Sequence, residues 1–171
     1  MNTWISSDAH MSHFRICEYC SRPFHEINEM NEFLINEWNS VVEPEDHVYY
    51  LGDFGLAGPE KLMPYRERMN GIWKLFLAGN HDRNSMVKIP SLAETIIKYS
   101  PTKRYEIELE GIPFVMSHCP IPRDIKDDRV YLFGHTHSTI AKENSKVNNI
   151  NIGVDAWNYS PVSITQLKEI I

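Results

Sequence analysis

Five short apolar runs punctuate this chain, and each stops at residues that can bind a cation or move a proton. Trp4-Ile5 leads into Asp8-Ala9-His10, Val48-Tyr49-Tyr50-Leu51 into Gly52-Asp53, and Trp73-Lys74-Leu75-Phe76-Leu77 into Gly79-Asn80-His81-Asp82. Pro113-Phe114-Val115-Met116 leads into Ser117-His118, and Val130-Tyr131-Leu132-Phe133 into Gly134-His135-Thr136-His137. Runs of β-branched and aromatic residues bounded by Gly or turn residues read as buried strands. Ligands of layered α/β folds bind beyond the carboxyl ends of strands, so five such ends point to one shared site.

The stretches between these runs predict the other elements. Ile27, Met30, Phe33, Leu34, Trp38, Val41 and Val42 keep helical spacing, with Asn28 as N-cap and Glu29 and Glu32 in the favourable first turn. A second helix is expected over about 59–69, opened by Pro59. Ser91-Leu92-Ala93-Glu94 has capping-box form and predicts a third, closed by Pro101. Tyr105 to Ser117 reads as a hairpin turning at Gly111. Strand–helix alternation followed by a β-rich second half predicts α/β layers with mixed strand directions. With 171 residues the expectation is a single domain spanning 1–171.

Lys and Arg number 17 against 23 Asp and Glu, a formal charge of −6 with no basic stripe, so no stable nucleic-acid complex is expected. No apolar run approaches the roughly 20 residues of a membrane span, and the first residues do not read as a signal peptide. A cytoplasmic protein without a membrane partner is the expectation. The three cysteines fit reduced thiols, and Cys17-x-x-Cys20 reads as helical spacing of small apolar residues rather than a metal or redox pair.

The chemistry lies in the strand ends. In extended backbone, residues i and i+2 share a side, so Asp8 with His10, and His135 with His137, can grip one ion. Asp8, His10, Asp53, Asn80, His118, His135 and His137 supply two carboxylates, an amide oxygen and four imidazoles. That mixture suits Mn²⁺, Fe²⁺, Zn²⁺, Co²⁺ or Ni²⁺ rather than Ca²⁺. Seven donors exceed the needs of one four-coordinate ion, and two ions sharing a carboxylate fit them better.

The ordered series Asp8-x-His10, Gly52-Asp53, Gly79-Asn80-His81-Asp82, His118 and Gly134-His135-x-His137 resembles the calcineurin-like metallophosphoesterase superfamily. Ser21-Arg22-Pro23-Phe24 and the ending Asn151 to Trp157, followed by Pro161-Val162-Ser163, resemble a small bacterial and phage branch of it. The resemblance implies two mixed β-sheets packed as a sandwich flanked by helices, a four-layer α/β/β/α arrangement. It implies two divalent transition-metal ions, Mn²⁺ the first choice. Asp8, His10 and His137 would hold one, Asn80, His118 and His135 the other, with Asp53 bridging. A hydroxide between the ions would attack a phosphoester, with His81 assisting the leaving group and Asp82 orienting His81.

The protein-phosphatase branch of that superfamily carries an Asp-Arg-Gly extension after Gly-Asp. Here Gly52-Asp53 continues Phe54-Gly55-Leu56-Ala57-Gly58 without an arginine, which favours phosphodiesters or small phosphomonoesters, including nucleotide-like ones, over phosphoproteins. His13, Arg83 and Arg123 are candidate substrate contacts. Asp155 and Trp157 are expected to pack rather than to do chemistry, and His25 and His47 to be ordinary. The competing expectation is a metal-binding scaffold of the same fold without catalysis.

Overall fold

The computed structural model describes residues 1–82, 84, 86–121, 128–142 and 148–171. Its first sheet contains β1 (Thr3–Ser6), β2 (His47–Tyr50), β3 (Ile72–Leu77), β4 (Thr95–Ile97) and β9 (Val162–Ser163), in the order β4-β3-β2-β1-β9. β1 to β4 run parallel, and β9 is antiparallel to β1. The second sheet contains β5 (Tyr105–Leu109), β6 (Ile112–Met116), β7 (Val130–Phe133) and β8 (Asn149–Asn151), in chain order. β5 and β6 form the expected hairpin, and β6, β7 and β8 are parallel. Its turn is Glu110-Gly111, with φ 50° and 78°, the left-handed pair that a two-residue hairpin turn requires.

Alternation along the strands separates two cores. Ile5, Tyr49, Leu51, Leu75 and Leu77 of the first sheet meet Phe114, Met116, Val130, Leu132 and Ile150 of the second. Val48, Tyr50, Trp73 and Phe76 face the other way, onto α2 (Ile27–Val41) and α3 (Pro59–Arg68) through Met30, Leu34, Trp38 and Leu62. Trp73 and Leu75 are two apart yet face opposite cores. The register explains this: Val48 pairs with Trp73 and Tyr49 with Leu75, so Lys74 is an extra residue that reverses the alternation. α1 (Arg15–Cys20) adds Ile16 and Cys17 to the helix-side core. α4 (Ile164–Lys168) places Ile164 and Leu167 in the inter-sheet core.

Two local expectations are corrected. Helix α2 starts at Ile27 with Glu26 as N-cap, not Asn28, because the Glu29 carboxylate accepts the His25 N–H at 2.7 Å and the Glu26 N–H at 3.3 Å. The stretch from Ser91 to Pro101 forms no helix. Thr95-Ile96-Ile97 is the edge strand β4, whose β-branched side chains suit the free side of β3, and the Glu94 N–H already donates to the Trp73 carbonyl at 2.9 Å. Among the described residues no helix is long and apolar enough to cross a membrane.

Buried Asp46 ties the start of β1 to the start of β2. It accepts from the Asn2 N–H at 2.5 Å, Trp4 Nε1 at 2.8 Å and the Glu43 N–H at 3.2 Å. Burial raises its pKa, but these donors outweigh burial and hold it below the ordinary range. The stabilisation is therefore complete above the ordinary carboxylate pKa and lost as pH falls through the lowered folded value. Asp46→Ala is expected to cost about 1–3 kcal/mol at neutral pH, since three partly buried N–H groups lose a charged acceptor. Denaturant titration at pH 7 and near pH 3 checks both the size and its decline in acid.

Candidate metal centre

The loops after β1 and β2 run side by side beyond the sheet. Asp8 N–H donates to the Gly52 carbonyl at 2.9 Å, His10 N–H to Asp53 at 3.0 Å and Met11 N–H to Phe54 at 2.8 Å. Within these loops and the one after β7, Asp8, His10, Asp53, His135 and His137 all take left-handed backbone, with φ between 50° and 70°. Non-glycine residues reach that region at a cost of order 1–3 kcal/mol, and such strain collects at functional sites. Gly134 admits the crossing of chains: a Cβ there would collide with Asp8 Oδ2 and Ser7 Oγ. Gly52, at φ 95°, lies against the Gly79 backbone and the His118 ring, where no side chain fits.

This packing gathers two groups of donors. Asp8, His10 and His137 form one, and Asp53, His118 and His135 the other; within each, the donor atoms lie within 4.8 Å of one another. Asp53 stands between them, its Oδ2 3.5 Å from His10 Nε2 and 3.4 Å from His118 Nε2. Asn80 Oδ1 is 3.0 Å from His118 Nε2, which places Asn80 with the second group.

The electrostatics suit a bound cation. Asp8 Oδ2 accepts from Ser7 Oγ and from the His135 N–H, while Asp8 Oδ1 and His10 Nε2 are buried with no hydrogen-bond partner among the described residues. Burial, aided by the charges of His137, Arg22 and His81 against that of Asp53, pushes the His10 imidazole down to about 2. It is neutral, as a ligand must be. Burial raises Asp53 and lowers His118, but their mutual hydrogen bond and the surrounding charges outweigh it, leaving Asp53 at about 2 and His118 at about 9. Buried lone pairs with no donor are costly, and a divalent ion is the group that would satisfy them together.

His81 is half-buried, its N–H donating to Asp53 Oδ1 at 2.8 Å and its ring 5.1 Å from that of His10. His13 joins the same cluster: its Nδ1 is 3.1 Å from His10 Nδ1, and its ring is 5.4 Å from His81. Asp82 does something other than orient His81. Its Oδ2 accepts from Asp53 N–H at 2.7 Å and Gly79 N–H at 2.8 Å, and its Oδ1 from Phe54 N–H at 2.9 Å. Asp82 thus clamps the loops after β2 and β3 together, because turns leave backbone donors that need acceptors. Arg83 and Arg123 lie outside the described residues.

Sequence reasoning missed two residues at this site. Arg22, 4% exposed, donates through Nε and NH2 to Asp155 at 2.8 and 2.9 Å, and also to the carbonyls of Asp8 at 2.8 Å and Ala9 at 2.9 Å. Asp155 in turn accepts from His137 Nδ1 at 2.8 Å. The expectation that Asp155 merely packs is corrected: it ties the centre to Arg22. A lone Arg in one loop and a lone Asp 133 residues later carry no local signal of pairing. Trp157 does pack, and its Nε1 donates to the Asn151 carbonyl at 2.8 Å.

A family model described as the calcineurin-like phosphoesterase superfamily domain matches residues 1–164. The chain belongs to the calcineurin-like phosphoesterase superfamily. Within it, the chain is 34% identical to an uncharacterized protein of Methanocaldococcus jannaschii, over 98% of this chain and 90% of that one. It is 26% identical to the Gene 66 protein of Mycobacterium phage D29, over 99% and 96% of the two chains. The solved structure of a protein of unknown function from Aquifex aeolicus superposes with a TM-score of 0.75 at 20% identity, covering 99% of each chain. That likeness shows the fold: two mixed sheets with flanking helices.

The cysteine pair of this calcineurin-like phosphoesterase stands apart from the donor groups. Cys17 Sγ is buried against Met30 Sδ at 3.5 Å in α1. Burial raises the Cys17 thiol and pushes Cys20 up to about 11, so both are protonated at neutral pH. Thiols in that state are neither ligands nor nucleophiles.

Proposed function

We propose that the protein is a binuclear, metal-dependent phosphodiesterase acting on small phosphoesters, nucleotide-like ones included, in the cytoplasm. The observation that carries this reading is Asp53, whose Oδ2 lies 3.5 Å from a histidine of one donor group and 3.4 Å from a histidine of the other. A single buried carboxylate so placed can serve two ions at once. Asp8, His10 and His137 would hold the first, and His118, His135 and Asn80 the second. Bound there, two divalent ions supply Lewis acidity toward phosphoryl oxygens and activate water near neutral pH. Mn²⁺ is the first choice for a set of imidazole, carboxylate and amide donors, ahead of Fe²⁺, Zn²⁺, Co²⁺ and Ni²⁺.

The chain's own groups divide the remaining work. The half-buried His81 ring borders the first group, within reach of a leaving oxygen to which it would give a proton, while the His81 backbone N–H holds Asp53. His13, beside it, is placed to donate to a phosphoryl oxygen. Asp82 keeps the two loops in register. After Asp53 the chain turns inward at fully buried Phe54 and supplies no arginine, which favours the singly charged diester over a doubly charged monoester or phosphoprotein.

The test is stripping and reconstitution with Mn²⁺, Fe²⁺, Zn²⁺, Co²⁺ or Ni²⁺ in turn, followed by bis-aryl diester, aryl monoester and dinucleotide assays. The expected result is uptake of two ions per chain, with diester turnover at least about tenfold above monoester turnover and abolished by chelation. Two bound ions with no turnover of any ester would instead make the chain a metal-binding scaffold.

A further inference from the structure

Two buried charges lie behind the donor groups, and they serve only one of them. The Arg22 side chain has no exposed surface and Asp155 has 3%, and they meet through two hydrogen bonds. Removing a guanidinium and a carboxylate from water is expensive, and such a pair is often worth no more to stability than apolar residues of the same volume. Stability alone is thus a weak account of this one. Among the described residues, the pair's other side-chain bonds to nitrogen and oxygen lead to one group: NH2 to the Asp8 carbonyl, NH1 to the Ala9 carbonyl, and Asp155 Oδ2 to His137 Nδ1, while NH1 also meets Met30 Sδ at 3.7 Å.

We infer that Arg22 and Asp155 are positioning residues that make the Asp8–His10–His137 group the tighter of two cation sites. The inference rests on the two-ion reading above. A carboxylate that accepts from Nδ1–H selects the tautomer whose Nε2 carries a lone pair, and His137 Nε2 is the atom turned toward Asp8 Oδ1, 4.0 Å away. The guanidinium fork holds the carbonyls of Asp8 and Ala9, and with them the left-handed turn that aims the Asp8 carboxylate. Both settings exist before any ion arrives, so the ion need not create them.

Among the described residues the second group's imidazoles have no such carboxylate behind them, and Asp82 meets that group only through backbone N–H groups. His118 Nδ1 donates to a neutral acceptor, the Leu51 carbonyl at 2.8 Å, and the His135 and Asn80 residues are exposed. Asp8 and His10 are almost fully buried, as are Asp53 and His118, so the difference in exposure lies in half-buried His137 against exposed His135 and Asn80. One ion should therefore stay resident while the other exchanges with solvent, so that cation supply sets how much of the protein holds both.

Asp155→Asn tests this, because the amide NH₂ can donate to His137 Nδ1 and drive the ring to the Nε2–H tautomer, blocking the donor atom. Long-range ¹H–¹⁵N NMR of the metal-free protein should show His137 change from Nδ1–H to Nε2–H. In Mn²⁺ titrations the tighter of the two wild-type constants should weaken roughly 10–100-fold, the usual effect of losing a ligand's hydrogen-bond partner, and the weaker one less than about threefold. In a His118→Ala background the single remaining Mn²⁺ should show the same sensitivity. Arg22→Lys keeps the charge but loses the fork. It should retain the His137 tautomer while weakening the same constant, which supplies a second reading if Asp155→Asn folds poorly.

An unchanged His137 tautomer, equal weakening of both constants, or a loss confined to the weaker one overturns the proposal. Fewer than two Mn²⁺ bound by the wild type would instead overturn the two-ion reading. The tautomer in metal-free protein would then still decide whether Asp155 orients His137.

Discussion

Asp53→Asn abolishes turnover, to below about 10⁻³ of wild type, and strips cations from both donor groups rather than one. The substitution keeps the shape of the side chain and one acceptor for the His81 N–H. It also puts an NH₂ where an oxygen now lies 3.5 Å from His10 Nε2 and 3.4 Å from His118 Nε2, and removes the charge that two neighbouring cations need between them. Atomic analysis of the purified variant, with a melting curve to establish that it is folded, reads the outcome. Two ions retained with near-normal turnover would sink the bridging assignment.

The second large effect concerns His81 and separates proton delivery from metal binding. His81→Ala should keep both ions, because its contact with Asp53 is made by the backbone N–H, which survives the substitution. Turnover of a diester with an alkoxide-like leaving group should fall by roughly 10²–10⁴, the range of general acid catalysis. A diester with a good phenolate leaving group needs little protonation and should lose far less. The ratio of the two losses at equal metal content is the deciding measurement. Equal losses would assign His81 to phosphate binding or charge stabilisation, and loss of an ion would make it a ligand.

The strand-end motifs were legible because their causes are local. Alternation and β-branching mark β1, β2, β3, β6 and β7 within a few residues, and glycines at 52, 79 and 134 mark where backbones must pass closely. The elements that were misread had rival local explanations. Ser91-Leu92-Ala93-Glu94 can open a helix, but the unpaired side of β3 offered Thr95-Ile96-Ile97 a ladder, and pairing outweighed the cap. Lys74 gave no sign of being an extra residue, since a bulge exists only relative to a partner strand.

The sequence by itself therefore determined which candidate donor side chains stand at the strand ends and, through the motifs they form, the phosphoesterase family the chain belongs to. Only the tertiary structure decided how they are shared. It set Asp53 between the two donor groups, directed Asp82 to three backbone N–H groups instead of the His81 ring, and joined Arg22 to Asp155 and His137 behind the site. The physical reason is common to all three. A buried polar group is assigned by whichever unsatisfied partner the fold brings within about 3 Å, and those partners come from chain segments whose proximity no local pattern encodes.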